Sequence, residues 1–187
     1  MPNRVLAFAG ALRAGSFNRK LIALAVEHAK ALGADVDLLD LKAQDIPLYD
    51  GDAEAADGLP RGVSDMRDRI GAARVVLVSS PEYNSSIPGV LKNAIDWTSR
   101  GPAQPWRGKV VGLLGATPGP FGTARMMPDL RKVLSALGAF VVPTQFGLAR
   151  AGEAFDETGR LRDPSLDKAL SAVVRDAVET AQKLSSG

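Results

Sequence analysis

The sequence predicts an α/β protein built on a doubly wound parallel sheet. Three observations lead there. Short runs rich in Val and Leu alternate with longer stretches of helical spacing. The short runs show little polar–apolar alternation, as strands buried on both faces do. A chain of 187 residues holds five such strand–helix units with a full core.

The first strand is expected over residues 5–9. It precedes a helix over 18–32, where Leu21, Ile22, Ala25, Val26, Ala29 and Leu32 form one apolar stripe. A strand at 36–39 is followed by a helix marked by Val63, Met66 and Ile70. A strand at 75–78 leads to a helix marked by Val90, Leu91, Ala94, Ile95 and the pair Trp97-Thr98. A strand at 110–114 leads to Leu130, Val133, Leu134 and Leu137. The fifth strand is expected at 139–142. The last helix opens with Asp163 as cap and Pro164 in its first turn, and continues through Leu170, Val173, Val174, Ala177 and Ala181. Residues 50–62 read as a surface loop. Residues 150–163 read as another, with a hairpin-like excursion around Glu157-Thr158-Gly159. Without a linker or repeat, residues 1–187 are expected to form a single domain. Five such units suit a flavodoxin-like sheet of order 2-1-3-4-5 with helices on both faces. The order comes from that fold type, since periodicity cannot give it. Ligands in such sheets bind beyond the C-terminal strand ends. The loops that matter are therefore 10–18, 79–88 and 115–124.

Composition removes several functions. The chain has no cysteine, so it has no disulfide, thiolate nucleophile, Fe–S cluster or thiolate zinc site. His28 is its single histidine, and no cluster of Asp residues has calcium-site spacing, so no metal is expected. The net charge of +2 comes from 23 basic and 21 acidic residues with no basic run, so no nucleic-acid partner is expected. No run of about 18 apolar residues occurs, so no membrane span is expected. The N-terminus lacks a signal-peptide core, and the simplest location is the cytoplasm.

The first loop reads GALRAGSFN, residues 10–18. Gly10 permits a tight turn, and Ser16 can cap the following helix. Free N–H groups and the helix dipole there attract an anion. Arg13 adds a fork of donors suited to phosphate oxygens, and Asn18 adds an amide. The bland reading is a capped turn with a surface arginine. Two other phosphate motifs fail. Leu12 stands where a dinucleotide fingerprint needs its second glycine. Gly10 and Gly15 have P-loop separation, but Ser16 and Phe17 occupy the Lys and Ser/Thr positions.

The second loop begins SSPEYNSSIPG, residues 79–89. Pro81, Glu82, Tyr83 and Asn84 lie at a strand end, where Tyr and Asn can flank a flat heterocycle. Ser85 and Ser86 offer further polar contacts and Ile87 an apolar edge. The alternative is a strand-to-helix connection shaped by Pro81 and Pro88 with Tyr83 packed on it. Trp97 reads as core. The third loop is GATPGPFGTAR, residues 115–125. Thr117 can donate to a ring carbonyl or a ribityl hydroxyl. Arg125 reads as a salt-bridge partner.

Together these loops resemble the NADPH-dependent FMN reductase family of flavodoxin-like proteins, which includes quinone and chromate reductases. The family's first loop, GSxRxxSxN, is matched by Gly10, Arg13, Ser16 and Asn18. Its second signature, PEYNxSxPGxLKNAIDW, is matched from Pro81 to Trp97 almost without a gap. The resemblance implies that Ala11, Arg13, Gly15, Ser16, Phe17 and Asn18 hold the FMN phosphate through side chains and backbone N–H groups. It implies that Pro81, Glu82, Tyr83, Asn84, Ser86 and Thr117 border the flavin. Ala11 departs from the pattern, where the family has serine. It also implies no catalytic side chain, since the flavin carries the chemistry. Donors near the flavin N1–C2=O edge would stabilise its reduced anion, and loop 115–118 is the candidate.

The resemblance further implies NADPH or NADH as donor, with Arg13, Arg125 and Arg150 as candidates for a 2′-phosphate. The acceptor is a quinone, free flavin or another small oxidant. A homodimer or homotetramer is implied, with Tyr49 either lining a neighbour's site or capping its own sheet. Two other readings are a flavodoxin-like electron carrier and a non-catalytic flavin-binding or interaction module. Such carriers are usually strongly acidic, which a +2 chain is not.

Overall fold

The computed structural model describes residues 4–185. Its strands are β1 (Arg4–Ala9), β2 (Asp35–Leu39), β3 (Val75–Ser79), β4 (Val110–Ala116) and β5 (Phe140–Leu148). Its α-helices are α1 (Phe17–Ala31), α2 (Gly51–Asp57), α3 (Arg61–Ala72), α4 (Gly89–Thr98), α5 (Met126–Ala136), α6 (Ala151–Ala154) and α7 (Pro164–Lys183). A short 3-10 helix covers Leu41–Gln44. The strands form one five-stranded sheet of order β2-β1-β3-β4-β5, with every pair parallel. That is the expected flavodoxin-like arrangement.

β3 and β4 are buried throughout, which is why their sequences lack alternation. Each face of the sheet has its own core. Val5, Ala7, Val75 and Leu77 pack with Leu21 and Ala25 of α1 and Val173 and Ala177 of α7. Leu6, Phe8, Val76 and Val78 pack on the other face with Met66, Ile70, Leu91, Ile95, Leu130 and Leu134 from α3, α4 and α5. Each fully buried Leu or Ile contributes about 1.5–3 kcal/mol by leaving water. Leu91 of α4 also reaches the first loop. A Cβ on Gly10 would lie 2.8 Å from its Cδ2, so the glycine lets α4 close against the end of β1.

Three expectations need correction. Residues 50–62 are not a loop throughout, because α2 occupies Gly51–Asp57. Asp50 caps it by accepting from the Asp52 N–H (2.9 Å), and Tyr49 donates to Glu54 (2.9 Å). α2 buries no residue, so it carries no apolar stripe to be read. In 150–163 only the short helix α6 departs from expectation; the hairpin-like excursion is present, with an antiparallel bridge between Phe155 and Leu161 and Gly159 at φ 86° in its turn. β5 runs well past 142. Its pairing to β4 shifts from Val111↔Val141 to Leu113↔Gln145, which places extra residues including Pro143 in β5. Arg131 of α5 donates to the Val141 and Val142 carbonyls (3.0 Å each) and to Gln145 (3.0 Å) beside this bulge.

Candidate functional site

The ends of β1, β3 and β4 lie level, because Ala9 pairs with Ser79, and Ser79 with Leu114. The three singled-out loops therefore leave the sheet at one edge. Gly10 N–H donates to the Ser79 carbonyl (2.9 Å), and Ser80 N–H to the Leu114 carbonyl (2.9 Å). These bonds extend the ladder just beyond the strands and fix where each loop begins.

In the first loop, Ser16 is extended (φ −68°, ψ 132°), and its Oγ accepts from the Asn18 N–H (3.2 Å). It is the expected cap of α1. Arg13 and Gly15 are exposed, and Gly15 faces open space. Three N–H groups of this turn are already taken, Ser16 by the Arg13 carbonyl (3.1 Å), Asn18 by Ser16 Oγ and Arg19 by the Ser16 carbonyl (3.0 Å), so the exposed Arg13 guanidinium and the helix dipole are its main attraction for an anion. Ala11 is buried. The Phe17 ring turns away and stacks on Phe155 (centroids 6.2 Å apart), so this residue offers the site only backbone. Asn18 is buried as well. Its Oδ1 accepts from Ser79 Oγ and Ala116 N (2.9 Å each), and its Nδ2 donates to the Ala116 carbonyl (2.9 Å).

The second loop turns tightly. Tyr83 and Ser86 exchange two backbone hydrogen bonds (3.1 and 3.0 Å) around Asn84 (φ 48°) and Ser85 (φ 66°). Positive φ at both central residues is hairpin-turn geometry. It leaves the Tyr83 ring exposed at the mouth of the site. Ser86 Oγ donates to Asp129 of α5 (2.7 Å). Glu82 turns inward, with its side chain 6 % exposed. Its carboxylate accepts from Arg125 N (3.0 Å), Met126 N (3.1 Å) and Arg125 Nε (2.7 Å). Burial pushes this carboxyl up, but the Met126 N–H and the Arg125 donors outweigh it and hold it below the usual carboxylate range. Glu82 is therefore the cap of α5, and it joins the second loop to the third.

The third loop is close-packed backbone. A Cβ on Gly147 would run into the Gly122 carbonyl, and one on Gly115 would lie 2.9 Å from the Ser80 carbonyl. The backbone donors from Ala116 to Gly119 are engaged within the protein. Ala116 N–H binds Asn18, Thr117 N–H binds the Leu148 carbonyl, Pro118 has none, and Gly119 N–H binds Thr117 Oγ1 (3.3 Å). The Thr117 hydroxyl hydrogen is what remains to meet a ligand. Arg125 pairs with Glu82 and lies over the exposed Phe121 ring (4.7 Å), so it is the salt-bridge partner the sequence suggested.

Other residues fall outside this edge. His28 Nε2 lies 2.9 Å from Asp167 Oδ1, tying α1 to α7. Trp97 is buried and donates to the Pro47 carbonyl (2.9 Å). Tyr49 packs edge-on against Trp97 (4.9 Å), so it caps α4 rather than the sheet. Leu48 beside it is 84 % exposed. A cleft of about 350 Å³ lined by Leu12, Ile46, Leu48, Val90 and Asn93 adjoins the first loop. Among the described residues no group of three or more His, Cys, Asp or Glu could hold a metal ion. No described helix is long and apolar enough to cross a membrane.

Sequence reasoning missed Asp129, Met126 and the inward turn of Glu82. The partners are 43 and 44 residues apart, and no local pattern marks them.

Comparison with known proteins agrees with this geometry. Residues 3–153 match the family model described as NADPH-dependent FMN reductase. An NAD(P)H-dependent FMN reductase of Pseudomonas aeruginosa is 42% identical over 171 residues, which is 91% of this chain and 89% of that protein. A quinone reductase of Escherichia coli K12 is 38% identical over 162 residues, covering 86% and 85%. Among solved structures, the flavoenzyme NAD(P)H:(acceptor) oxidoreductase FerB of Paracoccus denitrificans superposes with TM-score 0.84 and 32% identity. That match covers 97% of this chain and 98% of FerB.

Proposed function

The chain belongs to the NADPH-dependent FMN reductase family, and from that premise we propose that it is an FMN-dependent NAD(P)H oxidoreductase reducing quinones or similar small acceptors. One observation carries the reading. The exposed Arg13 before the capped α1 N-terminus and the exposed Tyr83 stand at level strand ends, one suited to a phosphate and the other to a flat ring.

In this reading the α1 N-terminus, Ser16 and Arg13 hold the phosphate, and Ala11, Gly15 and Phe17 contribute backbone. Pro81, Tyr83 and Asn84 border the ring, while Glu82 and Ser86 hold that border against α5. The Thr117 hydroxyl would be available to donate to the flavin. FMN held by these residues would supply the redox chemistry between NAD(P)H and the acceptor. No side chain at this edge has to act as acid or base. The chain's contribution is to bind, orient and leave one ring face accessible.

The proposal extends to a cytoplasmic homodimer or homotetramer. Exposed Leu12, Leu48 and Tyr49, the first two lining one cleft, support self-association near the site. Gel filtration with light scattering tests it, and a monomer at assay concentration refutes it.

The central test is an absorbance spectrum of purified protein with FMN, then titration with NADPH, NADH and a quinone. Flavin bleaching by either donor and recovery with quinone over many turnovers is expected. Oxidation of one equivalent without acceptor turnover would point to a carrier. Protein that binds no FMN at micromolar concentration would refute both flavin readings.

A further inference from the structure

We propose that Asn18 is a positioning residue for the flavin and not a ligand of its phosphate. The inference rests on the FMN reading above and departs from the role that resemblance assigns to this side chain.

Asn18 is 2 % exposed. Both lone-pair directions of its Oδ1 are filled, one by the Ser79 hydroxyl and one by the Ala116 N–H. Its Nδ2 donates back to the Ala116 carbonyl. The amide thus pairs with both backbone groups of Ala116, as a neighbouring strand would. Exchanging its O and N would set N–H against N–H at Ala116, so the orientation is determined. α1 begins one residue earlier, and the exposed Arg13 guanidinium lies in the loop before it.

The arrangement joins three elements through one side chain. Ser79 ends β3 and precedes the second loop. Ala116 ends β4 and precedes Thr117. Asn18 stands in the first turn of α1. The Asn18 amide therefore holds the ends of β3 and β4, from which the ring border departs. Any flavin reads that border, with or without a phosphate.

This gives a test that separates positioning from contact. Dissociation constants of FMN and riboflavin are measured by fluorescence quenching for the parent, Asn18→Ala and Ser79→Ala. Melting of the flavin-free proteins is followed alongside. One buried hydrogen bond shifts an equilibrium up to about tenfold. Positioning predicts that Asn18→Ala weakens both flavins by about tenfold or more, with their affinity ratio kept within about twofold. Ser79→Ala, which removes one of the bonds and cannot itself reach a phosphate, weakens both by about threefold. Both variants melt below the parent.

A phosphate ligand predicts the opposite. FMN affinity would fall while riboflavin affinity stays at the parental value, and that result overturns the proposal. So does unchanged binding of both flavins, or unchanged melting. If Asn18→Ala does not fold, Ser79→Ala decides by the same ratio. A parent protein that binds neither flavin refutes the reading of the site itself, a distinct outcome.

Discussion

Replacing Glu82 by alanine removes the acceptor that holds the start of α5. Three hydrogen bonds go with it, from Arg125 N, Met126 N and Arg125 Nε. Water can replace the carboxylate at the Arg125 guanidinium, which is half exposed, so the ion pair itself contributes under about 1 kcal/mol. The two backbone donors matter more. Loss of a helix cap costs about 1 kcal/mol, and Met126 is buried, so its unmet N–H adds about 1–2 kcal/mol. The sum is about 2–3 kcal/mol, which for a domain of this size lowers Tm by roughly 5–10 °C. The assay is thermal unfolding of flavin-free protein by circular dichroism at pH 7. Arg125→Ala should fall much less, by roughly 3 °C or under. A Glu82→Ala protein melting within about 1 °C of the parent would refute the capping argument, as would Arg125→Ala matching it in full.

Other outcomes follow from the same geometry. Glu82 has a folded pKa below its ordinary value, so its stabilisation is complete above the unfolded pKa and is lost as pH falls through the folded one. Melting measured from pH 7 downward should therefore drop below about pH 5, less steeply in Glu82→Gln; superimposable slopes would contradict this. Gly147→Ala puts a methyl against the Gly122 backbone, which cannot swing aside as a side chain can. It should cost about 1–3 kcal/mol and weaken FMN binding, checked by urea unfolding and flavin titration. Ala11→Ser restores the family's hydroxyl and should tighten FMN binding by up to about tenfold. No change would mean that backbone N–H groups and Arg13 dominate the phosphate grip.

The sheet was legible because its strands are buried on both faces and its long helices carry wide apolar stripes. Val75-Val76-Leu77-Val78 cannot sit anywhere but a core, and α1 places Leu21, Ile22, Ala25 and Ala29 inward. α2 was illegible for the same reason. It buries nothing, and what favours a helix is local, namely Asp50 at its cap, Asp52 and Glu54 in its first turn and alanine in its body. The far half of β5 escaped because Pro143 and two polar residues interrupt the apolar run. At the site, residue identity located the loops, but not which way side chains face. Asn18 and Glu82 have the chemistry of ligand contacts and are engaged instead with partners far along the chain. Sequence spacing carries no trace of a bond from residue 18 to 116 or from 82 to 126.

The bulge in β5 has a consequence beyond this domain's interior. Among the described residues β5 pairs only with β4, so its other side is the open rim of the sheet. An uninterrupted rim strand is a template for edge-to-edge aggregation. Here Pro143 has no N–H to offer, and Arg131 already occupies the Val141 and Val142 carbonyls. A strand from another molecule arriving at this rim would meet a gap in the donor row and, beside it, carbonyls already bonded to Arg131. Edge-to-edge strand pairing between folded molecules is thereby disfavoured at this rim.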